Sequence, residues 1–221
     1  MLKVSYMQTS FLIGDRLVGG DAPCFLIAEM GLAHDGSLGA AFAFIDAVAE
    51  AGADAVKFQT HMASEESTPL EKFRVKVFPQ DATRYDYWQR TAFTEDQWSR
   101  LKSYSESKGL VFLSTPFSVA AVEMLRRLGV VAWKIGSGET NNLMLLEAVS
   151  RGREPVLLST GMSYMEEIKS AVDFLKSHAA PLLLMQCTTM YPCPPEKLGL
   201  NMLAEYQGLY GLPVGFSDHS G

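Results

Sequence analysis

The chain is predicted to fold as an α/β protein of the TIM-type (β/α)8-barrel class, and three observations carry that prediction. Seven short apolar segments recur along it: FLIAEMG, AVKFQTH, LVFLSTPFS, VAWKIGSGE, PVLLSTGM, PLLLMQCTTMY and PVGFSDHSG. Each is separated from the next by a stretch with helical apolar spacing, and strand-then-helix repetition implies a parallel sheet. Most of the segments end in polar or charged residues that an ordinary core strand would not carry. If the sheet closes into a barrel, those ends meet at the C-terminal mouth, where such barrels keep their active sites. Glu29, Lys57, Gln59, Ser114, Thr115, Lys134, Ser137, Ser159 and Ser217-Asp218-His219 would then face one cavity. The pattern is that of an enzyme.

The elements follow in chain order. Residues 8–22 alternate around Gly14-Asp15 and again at Gly19-Gly20, which reads as a hairpin closing the bottom of the barrel. Ser37 caps a helix whose Leu38, Ala41, Phe42, Ile45 and Val48 share one face, with Gly52 ending it. The connection from His61 to Phe93 is long for a strand-to-helix link. Its aromatic content, in EKFRVKVFPQDATRYDYWQR, argues for an ordered lid or substrate loop with a short helix of its own. Thr94-Glu95-Asp96-Gln97 is a capping box that opens a helix through Trp98, Leu101 and Tyr104 to Gly109. Ser118 starts the next helix, with Val119, Val122, Leu125 and Leu128 as its stripe and Gly129 as its stop. Ser163-Tyr164-Met165-Glu166 reads as a further capping box, leading into Ile168, Val172 and Leu175. Seven strands are one short of a closed barrel, so residues 1–221 are expected to be a catalytic barrel truncated after its seventh strand.

Composition narrows the partners. A chain of 221 residues is long enough for one well-buried domain, and 48% apolar with 20% charged residues is ordinary for a globular protein. A net charge of −6 argues against a nucleic-acid or anionic-membrane surface, since both need a basic face. The first twenty residues lack an apolar stretch behind a basic start, and no apolar run approaches a bilayer span. Cys24, Cys187 and Cys193 have no metal-like spacing and read as small buried hydrophobes. A cytoplasmic location is the expectation.

The strand ends carry the chemistry. In AVKFQT, Lys57 and Gln59 share the face opposite Val56 and Phe58; in VAWKIGSG, Lys134 stands opposite Trp133 and Ile135. The apolar partners suit the helix-facing side, which places both lysines inside. A buried ammonium without a counter-charge loses its proton, so two such lysines imply an anion from the protein or from a ligand. Schiff-base formation is the other familiar use of a barrel lysine. The structural alternative pairs each lysine with Glu29 or Glu139.

Ser114, Thr115, Ser137, Ser159, Thr160, Thr188, Thr189 and Ser217 surround them. Singly, each is better explained as a helix cap; together with Gly136, Gly138 and Gly161 they would line a cavity for phosphate or carboxylate oxygens. Ser217-Asp218-His219 is no hydrolase triad, because adjacent strand residues cannot all point at one another. His219 is better read as a metal ligand or proton donor. His34 and His61 would also sit at the mouth, whereas His178 lies at a helix end, favoured there by the dipole.

The ordered set IAEMG, AVKFQTH, FLSTPFS, WKIGSGE, LLSTGM, CTTMYPCP and VGFSDHSG resembles the sialic acid synthase (N-acetylneuraminate synthase) family, from about Phe25 onward. That family includes legionaminic and pseudaminic acid synthases and spore-coat polysaccharide synthases. The resemblance implies a (β/α)8 barrel that condenses phosphoenolpyruvate with an N-acetylated hexosamine, typically N-acetylmannosamine. It also implies a divalent metal, commonly Mn2+ with Mg2+ or Co2+ as alternatives, and a homodimer. In the implied reaction phosphoenolpyruvate C3 attacks the open-chain aldehyde, which the metal polarises; water adds at C2, and phosphate leaves by C–O cleavage.

Carried over by motif, Lys57, Thr115, Lys134, Ser137, Ser159 and Ser217 match residues that hold phosphoenolpyruvate. Glu29 matches a carboxylate near the sugar and the reacting centre, and Gln59, on the same strand face as Lys57, is expected to bind substrate. Tyr191 matches a tyrosine of the same pocket, and His219 matches one of two histidine metal ligands. Gln186-Cys187-Thr188-Thr189 stands where many members read HCTN or HCTS, so the polar contact at Thr189 is altered. Ala33 replaces the amide of the commoner G-x-N-H-x-G loop, and RYDYWQR does not align with the neuraminate enzymes, which points to a different sugar. Family chains continue through an eighth strand, with the second metal histidine, into a C-terminal antifreeze-like domain. Two readings compete with the synthase: a Schiff-base aldolase using Lys134 or Lys57, and a catalytically incompetent fragment that binds phosphoenolpyruvate.

Overall fold

The computed structural model of the chain describes residues 10–73 and 78–221. The first two residues of the expected 8–22 hairpin, and residues 74–77 of the long connection, lie outside the described residues. Strands β1 (Ser10–Ile13) and β2 (Arg16–Gly19) pair antiparallel, with Leu12 opposite Leu17. This is the hairpin that the alternation predicts, and it buries Ile13 and Val18 while Leu12 and Leu17 face out.

Beyond the hairpin the chain divides into two compact units, Phe25–Val130 and Val131–Gly221, the hairpin belonging to the latter. In the first, β3 (Ile27–Gly31), α1 (Leu38–Glu50), β4 (Ala55–Thr60), α2 (Ala63–Glu66), α3 (Arg84–Thr91), α4 (Glu95–Ser107), β5 (Val111–Pro116) and α5 (Val119–Leu128) follow in order. Its sheet is parallel in the order β3-β4-β5. In the second, β6 (Trp133–Ile135), α6 (Leu143–Ser150), β7 (Val156–Ser159), α7 (Met165–Ser177), β8 (Leu182–Cys187), α8 (Asn201–Tyr210) and β9 (Val214–Ser217) build a parallel sheet in the order β6-β7-β8-β9. All seven predicted parallel strands are present. Their pairing traces two parallel sheets, of three and four strands.

The caps sit mostly where the sequence puts them. Ser37 Oγ accepts the Ala40 N–H at 3.1 Å, Thr94 and Gln97 form the reciprocal box, and Ser118 Oγ accepts the Ala121 N–H at 3.2 Å. Gly129 ends α5 in the left-handed conformation, φ 73°. The Ser163–Glu166 box is a correction. The Ser163 N–H is drawn into a turn on Thr160 O at 3.3 Å, so the cap position falls one residue later, at Tyr164. Glu167, not Glu166, reaches back, its carboxylate accepting the Tyr164 N–H at 2.8 Å.

The long connection holds two short helices, α2 and α3, and Thr83 with Asp86 forms a capping box for the second. Arg90 near its end forks onto Asp81 at 2.7–3.2 Å and onto Asp35 in the loop after β3 at 2.8 Å. The connection is thereby tied to the GLAHDG loop.

Strand alternation fixes each unit's core. Phe58, fully buried, packs edge-on to Trp98 of α4 and stacks on Phe112 of β5. In the other unit Trp133, Ile135, Leu145, Leu146 and Leu158 have no exposed surface. Leu125 on α5 is likewise 0% exposed, whereas Leu70 is 85% exposed. Leu125→Ala should therefore cost about 2–5 kcal/mol by urea unfolding, against less than about 0.5 kcal/mol for Leu70→Ala.

Candidate active site

Two polar clusters occupy strand ends, one in each unit. In Phe25–Val130 the register sets Glu29 opposite Lys57 and Gln59 opposite Thr115. Lys57 Nζ forms a close ion pair with Glu29 Oε2 and donates to Thr115 Oγ1 at 3.4 Å; its side chain is 8% exposed. Gly31 lies against the same group: a Cβ there would stand 3.4 Å from Glu29 Oε1 and 3.6 Å from Gln59 Nε2. Glu29, Lys57, Gln59 and Thr115 are thus brought together. The structural alternative holds for Lys57, since the counter-charge it needs is Glu29. Ser114, one residue before Thr115 and so on the other face of β5, shares a 2.7 Å hydrogen bond with the Thr60 hydroxyl.

The two histidines expected at the mouth differ. His34 is a correction: it is 1% exposed and stacks on Phe93 at 4.4 Å, with Nδ1 accepting the Gly36 N–H at 3.1 Å. Burial pushes its pKa down to about 4 against the opposing charge of Asp35, so the ring is neutral. Apolar surroundings claim it because Phe58 and Phe93 lie beside the loop. His61 lies between Trp88 and Phe117, with Nδ1 2.7 Å from Glu66 Oε2.

In Val131–Gly221 the centre is Lys134. Trp133 and Ile135 turn into the core on either side, which turns Lys134 to the opposite face of β6. Its Nζ donates closely to Ser159 Oγ and, at 3.2 Å, to Ile135 O. Among the described residues no carboxylate pairs with it. Glu139, the structural alternative, instead accepts from Asn142 Nδ2 at 2.7 Å. Burial lowers the Lys134 pKa to about 8, with the nearby Cys187 thiol opposing the shift.

Neighbouring donors fix this cluster. Ser137 Oγ accepts the Gly161 N–H at 3.1 Å, and Thr140 Oγ1 donates to Ser159 O at 2.7 Å. A Cβ on Gly161 would meet Cys187 O at 2.5 Å and Thr189 Oγ1 at 2.8 Å, so only glycine lets β7 and β8 end this close. Ser217 pairs in register with Cys187. Lys134, Ser137, Ser159, Thr189 and Ser217 therefore belong to one end of one sheet. Thr140 and Cys187 were not singled out as site residues by sequence; buried polar groups next to a strand-end lysine would have been the signal.

Tyr191 and His219 meet, their ring centroids 4.4 Å apart at 57°, and the Cys193 N–H donates to His219 O at 2.7 Å. Tyr191 is 68% exposed. The Asp218 carboxylate accepts the Ser220 N–H at 2.9 Å, a bond that, ahead of the neighbouring His219, holds its pKa below the usual carboxylate range. His178 occupies the C-terminal end of α7, as expected. Among the described residues, no group of three or more His, Cys, Asp or Glu side chains can hold a metal ion. Among the described residues His219 supplies a single imidazole here, fewer donors than a divalent ion needs. No described helix is long and apolar enough to cross a membrane.

Comparison with known proteins matches residues 44–221 to the NeuB family. Human N-acetylneuraminate-9-phosphate synthase is 36% identical over 214 residues, covering 92% of this chain and 58% of that protein. The N,N'-diacetyllegionaminic acid synthase of Legionella pneumophila is 32% identical over 210 residues, covering 91% and 59%. A crystal structure of N-acetylneuraminic acid (sialic acid) synthetase from Leptospira borgpetersenii, in complex with citrate, matches with a TM-score of 0.86 at 32% identity, over 98% of this chain and 72% of that one. The chain spans 58–59% of the length of these two curated relatives.

The buried ammonium has a measurable signature. Lys134 loses its proton near pH 8 when folded and near its ordinary 10.5 when unfolded. Between those values the unfolded chain holds the extra proton, so stability rises with pH across that window and the buried charge weighs fully below it. Relative to Lys134→Met, the parent should gain up to about 3 kcal/mol between pH 7 and pH 10.5 in urea titrations. A stability difference that stays constant with pH would contradict this placement.

Proposed function

The chain belongs to the NeuB family, and on that basis we propose that it serves a phosphoenolpyruvate-dependent condensation with an N-acetylated hexosamine. The product is a nonulosonic, sialic-type acid, and phosphate is released. The observation that carries the reading is Lys134: an ammonium inside the protein, held by a hydroxyl and a carbonyl oxygen, with a depressed pKa. Such a group gains most from an arriving anion, because the ligand supplies the missing counter-charge in a site where water competes weakly. Ser159 and Ser137 add hydroxyls, and the Gly161 N–H lies within the same cluster. Phosphoenolpyruvate offers carboxylate and phosphate oxygens to donors of this kind. The citrate bound to the Leptospira relative, a polycarboxylate, supports an anion site in this fold.

Glu29, Lys57, Gln59, Thr115, Tyr191 and Ser217 belong to the proposal as residues that the family resemblance assigns to the reaction. The relatives named above make different sugar acids, so the reading stops at the class of N-acetylated hexosamine. One observation favours a second reading. An amine with a pKa near 8 is partly neutral at physiological pH, which is what a Schiff-base aldolase needs. Borohydride trapping separates the two: the synthase leaves Lys134 unmodified, the aldolase forms a stable substrate adduct on it.

Removing the Lys134 charge should weaken phosphoenolpyruvate binding by on the order of 2–4 kcal/mol, or roughly 30- to 1000-fold. Titration calorimetry of parent and Lys134→Ala, with circular dichroism to verify the fold, measures it. Equal affinities would remove the anion site. In turnover by the whole protein, the bridging oxygen of labelled phosphoenolpyruvate should depart with phosphate. Label kept in the sugar acid would instead mean attack at phosphorus.

A further inference from the structure

Strand β4 ends at Thr60, and His61 follows it directly. Alternation carried one residue past the strand would put His61 on the face of Lys57 and Gln59. The register continues too: Gln59 lies opposite Thr115 and Thr60 opposite Pro116, so His61 and Phe117 come next. Their rings stack at 4.0 Å and 12°. Trp88 stacks on the same imidazole at 4.7 Å and 8°, and two near-parallel rings this close must take opposite faces. Arg84 then covers Trp88 at 4.4 Å and pairs with Glu71 at 2.9 Å. The ring plane of His61 is fixed.

Its tautomer is fixed as well. Nδ1 lies 2.7 Å from Glu66 Oε2, and the other carboxylate oxygen takes the Met62 N–H. A carboxylate only accepts, so Nδ1 carries the proton and the neutral ring keeps Nε2 as an acceptor. The His61 side chain is 7% exposed, and among the described residues its hydrogen bond is made through Nδ1, which leaves Nε2 unused. A residue that merely filled the gap between Trp88 and Phe117 would need no buried carboxylate; Glu66 is 8% exposed. An oriented acceptor calls for a donor. Phosphoenolpyruvate at neutral pH presents acceptor oxygens almost exclusively, whereas a sugar presents O–H groups.

We propose that His61, oriented by Glu66, is a recognition residue whose Nε2 accepts a hydrogen bond from a hydroxyl of the sugar substrate. This rests on the phosphoenolpyruvate–hexosamine reading above. His61→Phe keeps a ring in the stack and deletes Nε2. Glu66→Gln keeps the ring but allows an amide N–H to face Nδ1 and move the proton to Nε2. Calorimetry with phosphoenolpyruvate alone, then with N-acetylmannosamine added, tests both variants against the parent. Phosphoenolpyruvate affinity should stay within about twofold in each variant. Sugar affinity should fall about tenfold in His61→Phe and about threefold or more in Glu66→Gln. Unchanged sugar affinity in both variants overturns the inference, as does a parent that binds phosphoenolpyruvate but no sugar. A parent that binds no phosphoenolpyruvate instead defeats the reading on which the inference rests.

Discussion

An ammonium group buried at the end of a three-residue strand, with a serine hydroxyl and a carbonyl oxygen as its partners, is the constraint on which the Val131–Gly221 unit turns. Taking a charge out of water is unfavourable unless hydrogen bonds or a counter-charge offset it. Here the offset within the chain is partial, and the depressed pKa of Lys134 expresses the remainder. The surrounding structure keeps the arrangement in place. Trp133 and Ile135 anchor β6 in the core, Thr140 holds Ser159 through its carbonyl oxygen, and Gly161 lets the end of β8 close in. Each of these restricts how far Lys134 can relax toward water.

Lys57 makes the contrast. It too projects from a strand between two fully buried apolar neighbours, Val56 and Phe58. Its register partner is Glu29, and the two charges neutralise each other in place. A lysine with its own carboxylate is poised to orient groups. A lysine without one is poised to receive an anion. The functional proposal follows from that difference more than from the number of polar residues at the strand ends.

Much of this was legible in the sequence because the signals are local. Strand alternation assigned the faces of Lys57, Gln59 and Lys134, and a side-chain oxygen ahead of an apolar stripe located the starts of α1, α4 and α5. What escaped depends on contacts distant in sequence or on one-residue choices. The start of α7 slipped from Ser163 to Tyr164 because the turn after β7 claims the Ser163 N–H. His34 read as a mouth residue from its place after β3, yet Phe93, far along the chain, draws it into the core. Which of two strand-end lysines would find a carboxylate was left open, since it turns on whether the facing strand carries one in register. Glu29 does so for Lys57; Leu157 faces Lys134. The Arg84–Trp88–His61–Phe117 stack joins three separate segments, and only the aromatic content of the long connection hinted at it.

The central claim is that Lys134 waits for an anion, and the amine itself is the most direct witness. Heteronuclear NMR of the labelled lysine side chain, with Lys134→Met identifying the resonance, gives its titration with and without phosphoenolpyruvate. The expected result is a midpoint near 8 in the free protein that moves up toward 10 or beyond when phosphoenolpyruvate is bound. A midpoint at the ordinary 10.5 in the free protein, unmoved by phosphoenolpyruvate, would contradict the account.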